Sequence, residues 1–198
     1  MTLKEAKTKV LSLIEELNPE HDYLTEDPDI SAKINSVFNQ IQVELCRLKK
    51  IPAKYVYNRV EEGNTLLITD IPDIYQLSNI STDKYSIKGD LEIIFEDEAD
   101  EEITIYYYKY PELIPIIITP EEGETEAEAS ERIDNTYVFE LAEDALEVMP
   151  YGVAADILKN DMISNYGRYY DERYNMLKQY LDSRITSGLI VAEGGLDI

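Results

Sequence analysis

Apolar residues recur every three or four positions over residues 2–17, where Leu3, Ala6, Val10, Leu13, Ile14 and Leu17 share one face. This spacing predicts an amphipathic helix. Thr2 followed by Glu5 suits a capping box, and Asn18-Pro19 stops the pattern. A second helical stripe runs over 29–49 through Ile30, Ile34, Val37, Phe38, Ile41, Leu45 and Leu48. Asp27-Pro28 supplies its N-cap and first-turn proline, Arg47, Lys49 and Lys50 favour the end of the helix dipole, and Pro52 blocks continuation.

The period then shortens. Residues 54–60 and 65–69 read as strands around a Glu61-Glu62-Gly63-Asn64 turn, and 85–87 and 91–95 as strands around Lys88-Gly89-Asp90. An acidic stretch, Glu96 to Glu102, reads as a charged hairpin tip before the strand Ile103–Tyr110. That strand carries Tyr106, Tyr107, Tyr108 and Tyr110, so alternation sends tyrosines to both faces, one toward the helices and one toward solvent or a partner. Residues 119–136 are acidic and nearly free of large apolar side chains, and read as a mobile surface loop. Helical spacing returns over 140–187. Leu141, Ala145 and Val148 precede Pro150, and a helix over 148–162 contributes Val153, Ala154, Ile157, Leu158 and Met162. A tyrosine-rich arm over 166–185 follows, closed by Gly188 as the residue after the helix.

These elements predict an α+β fold: a helical core from two N-terminal and the C-terminal helices, with an inserted antiparallel β subdomain. The expected divisions are 1–52, 53–140, 141–188 and a tail at 189–198, whose apolar Leu189, Ile190 and Val191 suit either disorder or addition to a neighbour's sheet edge.

Composition narrows the function classes. Forty-one acidic against 18 basic residues give a net charge of −23, which repels phosphate backbones and anionic membrane surfaces. One cysteine, Cys46, excludes an internal disulfide, and one histidine, His21, leaves a Cys/His zinc site short of ligands. The N-terminus lacks the apolar core of a signal peptide, and no stretch is long and apolar enough to span a membrane. No glycine-rich phosphate loop occurs, and His21 has no evident nucleophile or orienting partner. The Glu96–Glu102 and 121–131 runs lack the ligand spacing of a calcium loop. Catalytic, cofactor-binding and metal residues are therefore all expected to be absent, and the expected class is a non-enzymatic structural protein. Sixteen tyrosines, three phenylalanines and no tryptophan favour half-buried strands and interfaces. The candidate interface residues are Tyr106, Tyr108, Tyr110, Tyr166, Tyr169, Tyr170, Tyr174, Tyr180, Leu189, Ile190 and Val191.

Three stretches carry a resemblance. They are the opening helix pair ending in Leu45-Cys46-Arg47-Leu48; the segments Ile71–Tyr75, Tyr85–Leu91 and Ile105–Pro111; and Leu141 through Tyr174 with Pro150-Tyr151, Ala154-Ala155, Leu158 and Asp161. Together they resemble the head–tail connector (adaptor, or head-completion) proteins of tailed bacteriophages. The acidic 119–136 segment has no counterpart in that pattern. The resemblance implies a virion protein of the neck, made in the host cytoplasm, that forms a homo-oligomeric ring, typically a dodecamer, bound to the portal and to downstream neck or tail proteins. DNA would pass through the ring without being specifically bound, and an acidic lumen would suit that passage. A tail-completion protein is the neighbouring reading. Outside the phage reading stand an acidic regulator or DNA mimic that binds a basic protein, and a carboxylate-based metallohydrolase.

Overall fold

The computed structural model describes residues 1–16, 25, 27–89, 91–160 and 165–183. His21, the Asn18-Pro19 stop, Gly188 and the tail with Leu189, Ile190 and Val191 lie outside the described residues. Among the described residues the fold is α+β, with the long helices gathered around one core and six strands around another.

Helix α1 (Leu3–Leu13) starts as its sequence dictates: Thr2 caps the Glu5 amide while the Glu5 carboxylate accepts from the Thr2 amide. It ends four residues earlier than the apolar spacing predicts. Glu15 takes a left-handed φ of 61°, and the Glu16 amide donates to the Leu11 carbonyl, a Schellman closure made without glycine. Helix α2 (Pro28–Leu48) has the expected Asp27 cap and first-turn proline, and buries Ile30, Ile34, Val37, Phe38, Ile41 and Leu45.

The strands fill Ile51–Lys109, and the rest of the segment expected to be β-rich, 110–140, packs on the helices. Strands β1 (Ile51–Asn58), β3 (Ile74–Ile80) and β6 (Glu102–Lys109) form one antiparallel sheet in the order β1-β6-β3. Strands β2 (Thr65–Leu67), β4 (Tyr85–Lys88) and β5 (Glu92–Phe95) form another, in the order β2-β5-β4.

The hairpin expected between 54–60 and 65–69 does not form. One helical turn, α3 (Arg59–Glu62), redirects the chain, and the Tyr57 hydroxyl holds the Gly63 and Thr65 carbonyls. β1 then pairs with β6 along its whole length, and β2 pairs with β5. Nor is Glu96–Glu102 a hairpin tip. It carries the chain from one sheet to the other, with Ala99 buried beneath it. β3, which has no counterpart in the sequence reading, joins β6 with two register shifts.

The inner face of β6 meets the second sheet rather than the helices. Ile103, Ile105 and Tyr107 share a cluster with Leu66, Ile93 and Phe95, and the Tyr57 ring stacks on Phe95 at 5.4 Å. This gives the β part its own core, a sheet-on-sheet arrangement.

The acidic segment expected as a mobile loop holds helix α4 (Glu126–Thr136). Thr125 and Glu128 form a second capping box, and Arg132 binds Glu124 at 3.0 Å. Asp134, fully buried, binds Lys7 of α1 at 2.7 Å. Helix α5 (Glu143–Ile157) runs unbroken through Pro150 and begins before the expected 148. It is the central helix, touching α1, α2 and α6 (Tyr166–Ser183). Small residues on α5 and α6 set this spacing. A methyl at Gly152 would lie 2.8 Å from the Tyr174 ring, and one at Gly167 would lie 2.8 Å from the Leu158 carbonyl oxygen. Backbone cannot yield as a side chain can, so Gly167→Ala is expected to cost about 1–3 kcal/mol of stability. The check is a lower urea midpoint at unchanged slope.

Candidate assembly surfaces

The first surface is the outward face of the β1-β6-β3 sheet. Strict alternation on β6 buries Ile103, Ile105 and Tyr107 and turns Thr104, Tyr106 and Tyr108 outward. Their cross-strand partners on β1 are Val56, Lys54 and Pro52. Tyr106 is 46% exposed and Tyr108 is half-buried. The Lys50 ammonium sits 4.9 Å from the centre of the Tyr108 ring and donates to Gln76 at 2.8 Å. The six paired positions from Pro52 to Val56 and from Thr104 to Tyr108 carry no carboxylate. Aromatic and cationic groups therefore meet here on a protein that is acidic elsewhere. Tyr110 lies past the strand and packs against Tyr75 at 5.1 Å, half-buried between two parts of the same chain.

The second surface is the outer stripe of α6. Tyr166, Tyr169, Arg173, Met176 and Tyr180 are spaced 3-4-3-4, the interval of a helix–helix seam, and all are exposed. Tyr166, Tyr169 and Tyr180 are 60%, 59% and 60% exposed. Arg173 lies over the Tyr151 ring at 5.8 Å.

One position later, about 100° around the helix, Tyr170, Tyr174 and Leu181 are buried. Tyr170 and Tyr174 are thus corrected from interface to core. The Tyr170 hydroxyl donates to the Leu13 carbonyl at the end of α1. Burial and then the nearby charges push that hydroxyl's pKa up, and burial followed by the Glu44 carboxylate does the same at Tyr174. Arg173 and Met176, absent from the candidate interface residues, share the exposed stripe. Their phase with Tyr169 and Tyr180 is the signal that marks them.

A third exposed feature lies in the segment expected to be β-rich. Residues 110–118 cross α2 as an extended strap, held by a ladder of side-chain amides. Asn39 both donates to and accepts from the Ile114 backbone at 2.8 Å. Gln42 donates to Asn39 at 2.9 Å and to the Glu112 carbonyl at 3.2 Å, and Asn35 donates to the Pro115 carbonyl at 3.4 Å. The Tyr137 hydroxyl reaches Gln42 Oε1 and the Glu112 carbonyl, and burial pushes its pKa up to about 12. Where the strap begins, Glu140 accepts from Lys109 and from the Glu112 amide. Burial opposes its ionisation, but those two donors hold its carboxyl below the usual value. Ile114 is buried under the strap, while Leu113, Ile116 and Ile117 point outward.

Among the described residues, groups that could hold a metal do not converge: no cluster of three or more His, Cys, Asp or Glu could bind an ion. Cys46 is buried, its thiol donates to the Val43 carbonyl, and burial pushes its pKa up against the pull of Arg47. The groove between α2, α5 and α6 holds two ion pairs, Lys178 with Glu44 at 2.6 Å and Lys159 with Asp156 at 3.9 Å, and is also lined by Arg168 and Asp171. Among the described residues, no helix is long and apolar enough to cross a membrane. No protein-family model and no curated protein matches this chain.

Proposed function

We propose that this chain is a non-enzymatic structural protein, a head–tail connector of a tailed-bacteriophage type of particle. It assembles into a ring, typically of 12 subunits in the proteins it resembles, between the portal and the tail components. The observation that carries the reading is the set of unlike outward surfaces, on the β part, on α6 and on the 110–118 strap. A ring built by head-to-tail contact needs two different patches on each subunit. The sheet face offers aromatic and cationic groups, and the α6 stripe offers tyrosines at helix-seam spacing. The charge of −23 supports the same reading, because a like-charged channel lets DNA slide without holding it.

Mass photometry and negative-stain electron microscopy of the purified protein, alone and mixed with portal assemblies, test this. Closed rings, or rings that form on the portal, are the expected result. A strictly monomeric protein that ignores portal assemblies overturns the proposal. Tight, salt-sensitive capture of a basic nucleic-acid-binding protein by that monomer would indicate the acidic-regulator reading instead.

A further inference from the structure

We infer that neighbouring copies of this chain join by a specific contact: the isoleucine strap of one copy docks on the tyrosine–lysine sheet face of the next. This rests on the ring-forming reading and supplies its interface. Among the described residues, Ile116 and Ile117 are 64% and 86% exposed. A strap pinned by three side-chain amides presents them at little further cost in ordering. Glu121 and Glu122 follow within five residues, both exposed, so the knob is apolar with an acidic margin.

Charge selects its occupant. Two copies at −23 repel over most approaches. The sheet face offers Lys50 and Lys54 beside Tyr106 and Tyr108, with no carboxylate among its paired central positions. An apolar knob with acidic margins fits an aromatic floor with lysine margins.

The two patches cannot meet within one copy. The strap runs from Gln42 toward Asn35, whereas the sheet face begins past the other end of α2. The 14 residues from Asn35 to Lys49 span about 21 Å of helix axis. Unlike patches joined between different copies allow a head-to-tail contact, which propagates until a ring closes.

Paired charge reversals test the inference. One variant carries Lys50→Glu and Lys54→Glu, and the other carries Glu121→Lys and Glu122→Lys. Each alone sets like charges across the contact and is expected to stay monomeric while keeping a cooperative circular-dichroism melt. Mixed in equal amounts, every contact can again pair opposite charges, and assembly is expected to return. Ile117→Asp, at a site too exposed to matter for folding, is expected to weaken assembly about tenfold or more. If the wild type assembles and all these variants assemble equally well, the contact is wrong while the ring reading stands. If the wild type fails to assemble both alone and with portal, the ring reading falls and takes this contact with it.

Discussion

Replacing Lys7 with methionine is expected to cost about 3–5 kcal/mol of folding stability. Asp134 is fully buried, and Lys7 is its ion-pair partner at 2.7 Å. Its second oxygen, Oδ2, has no hydrogen-bond partner among the described residues. Burial already raises the Asp134 pKa, and the charge and hydrogen bond of Lys7 only partly offset this. Removing Lys7 strands a carboxylate in the core between α4 and α1, so the loss is dominated by desolvation. The double variant Lys7→Met, Asp134→Leu is expected to recover most of it, because neither charge then has to be buried. Urea denaturation of the three proteins gives this comparison.

The pH dependence follows from the direction of the shift. A carboxyl whose folded pKa lies above its unfolded value favours folding most below the unfolded pKa. That contribution is lost as pH rises through the folded pKa. Lys7→Met raises the folded value further, so its deficit relative to wild type should shrink on acidification from neutral toward the unfolded carboxylate range. A deficit that is constant over this range would mean that lost packing, not charge burial, is the cause.

Asn39→Ala is expected to cost about 2–4 kcal/mol, since each buried backbone group left without a partner costs roughly 1–3 kcal/mol. Asn39 satisfies both the N–H and the C=O of Ile114, and its oxygen also receives Gln42. Its loss frees the middle of the strap where no other described group replaces it. Amide exchange at Ile114 should accelerate sharply while exchange in β6 is little changed. Gln42→Ala in the same background should add less than it does alone, because the two amides form one network. Full additivity would show that the ladder is two separate contacts. Since the strap presents Ile116 and Ile117, Asn39→Ala should also weaken assembly at concentrations where the monomer remains folded.

Several parts of the molecule were legible from local rules. Both N-terminal helices begin where their caps lie, because a cap is satisfied within three residues of itself. The 85–95 hairpin formed as read, with Gly89 at a φ of 62° in the turn. β6 alternates as its sequence does, since neighbouring side chains on a strand leave on opposite faces. The α+β outline follows from those patterns, whereas the separate core of the β part does not.

The tertiary structure decided what depends on distant partners. α4 has little apolar surface to announce it, and its anchor is an ion pair to a residue 127 positions away. β1 and β2 look like a hairpin in sequence, yet each is claimed by a strand that arrives later. Tyr169 and Tyr170 are chemically identical neighbours. Only the position of α6 against α1 and α5 makes one a surface group and the other a core group. The strap is the plainest case. Leu113 to Ile118 is an apolar run, yet α2 binds its backbone and leaves Leu113, Ile116 and Ile117 in solvent. Composition fixes how much apolar and charged surface the chain must place. Which side of each element faces the protein is set by packing, and the assembly surfaces are what that packing leaves outside.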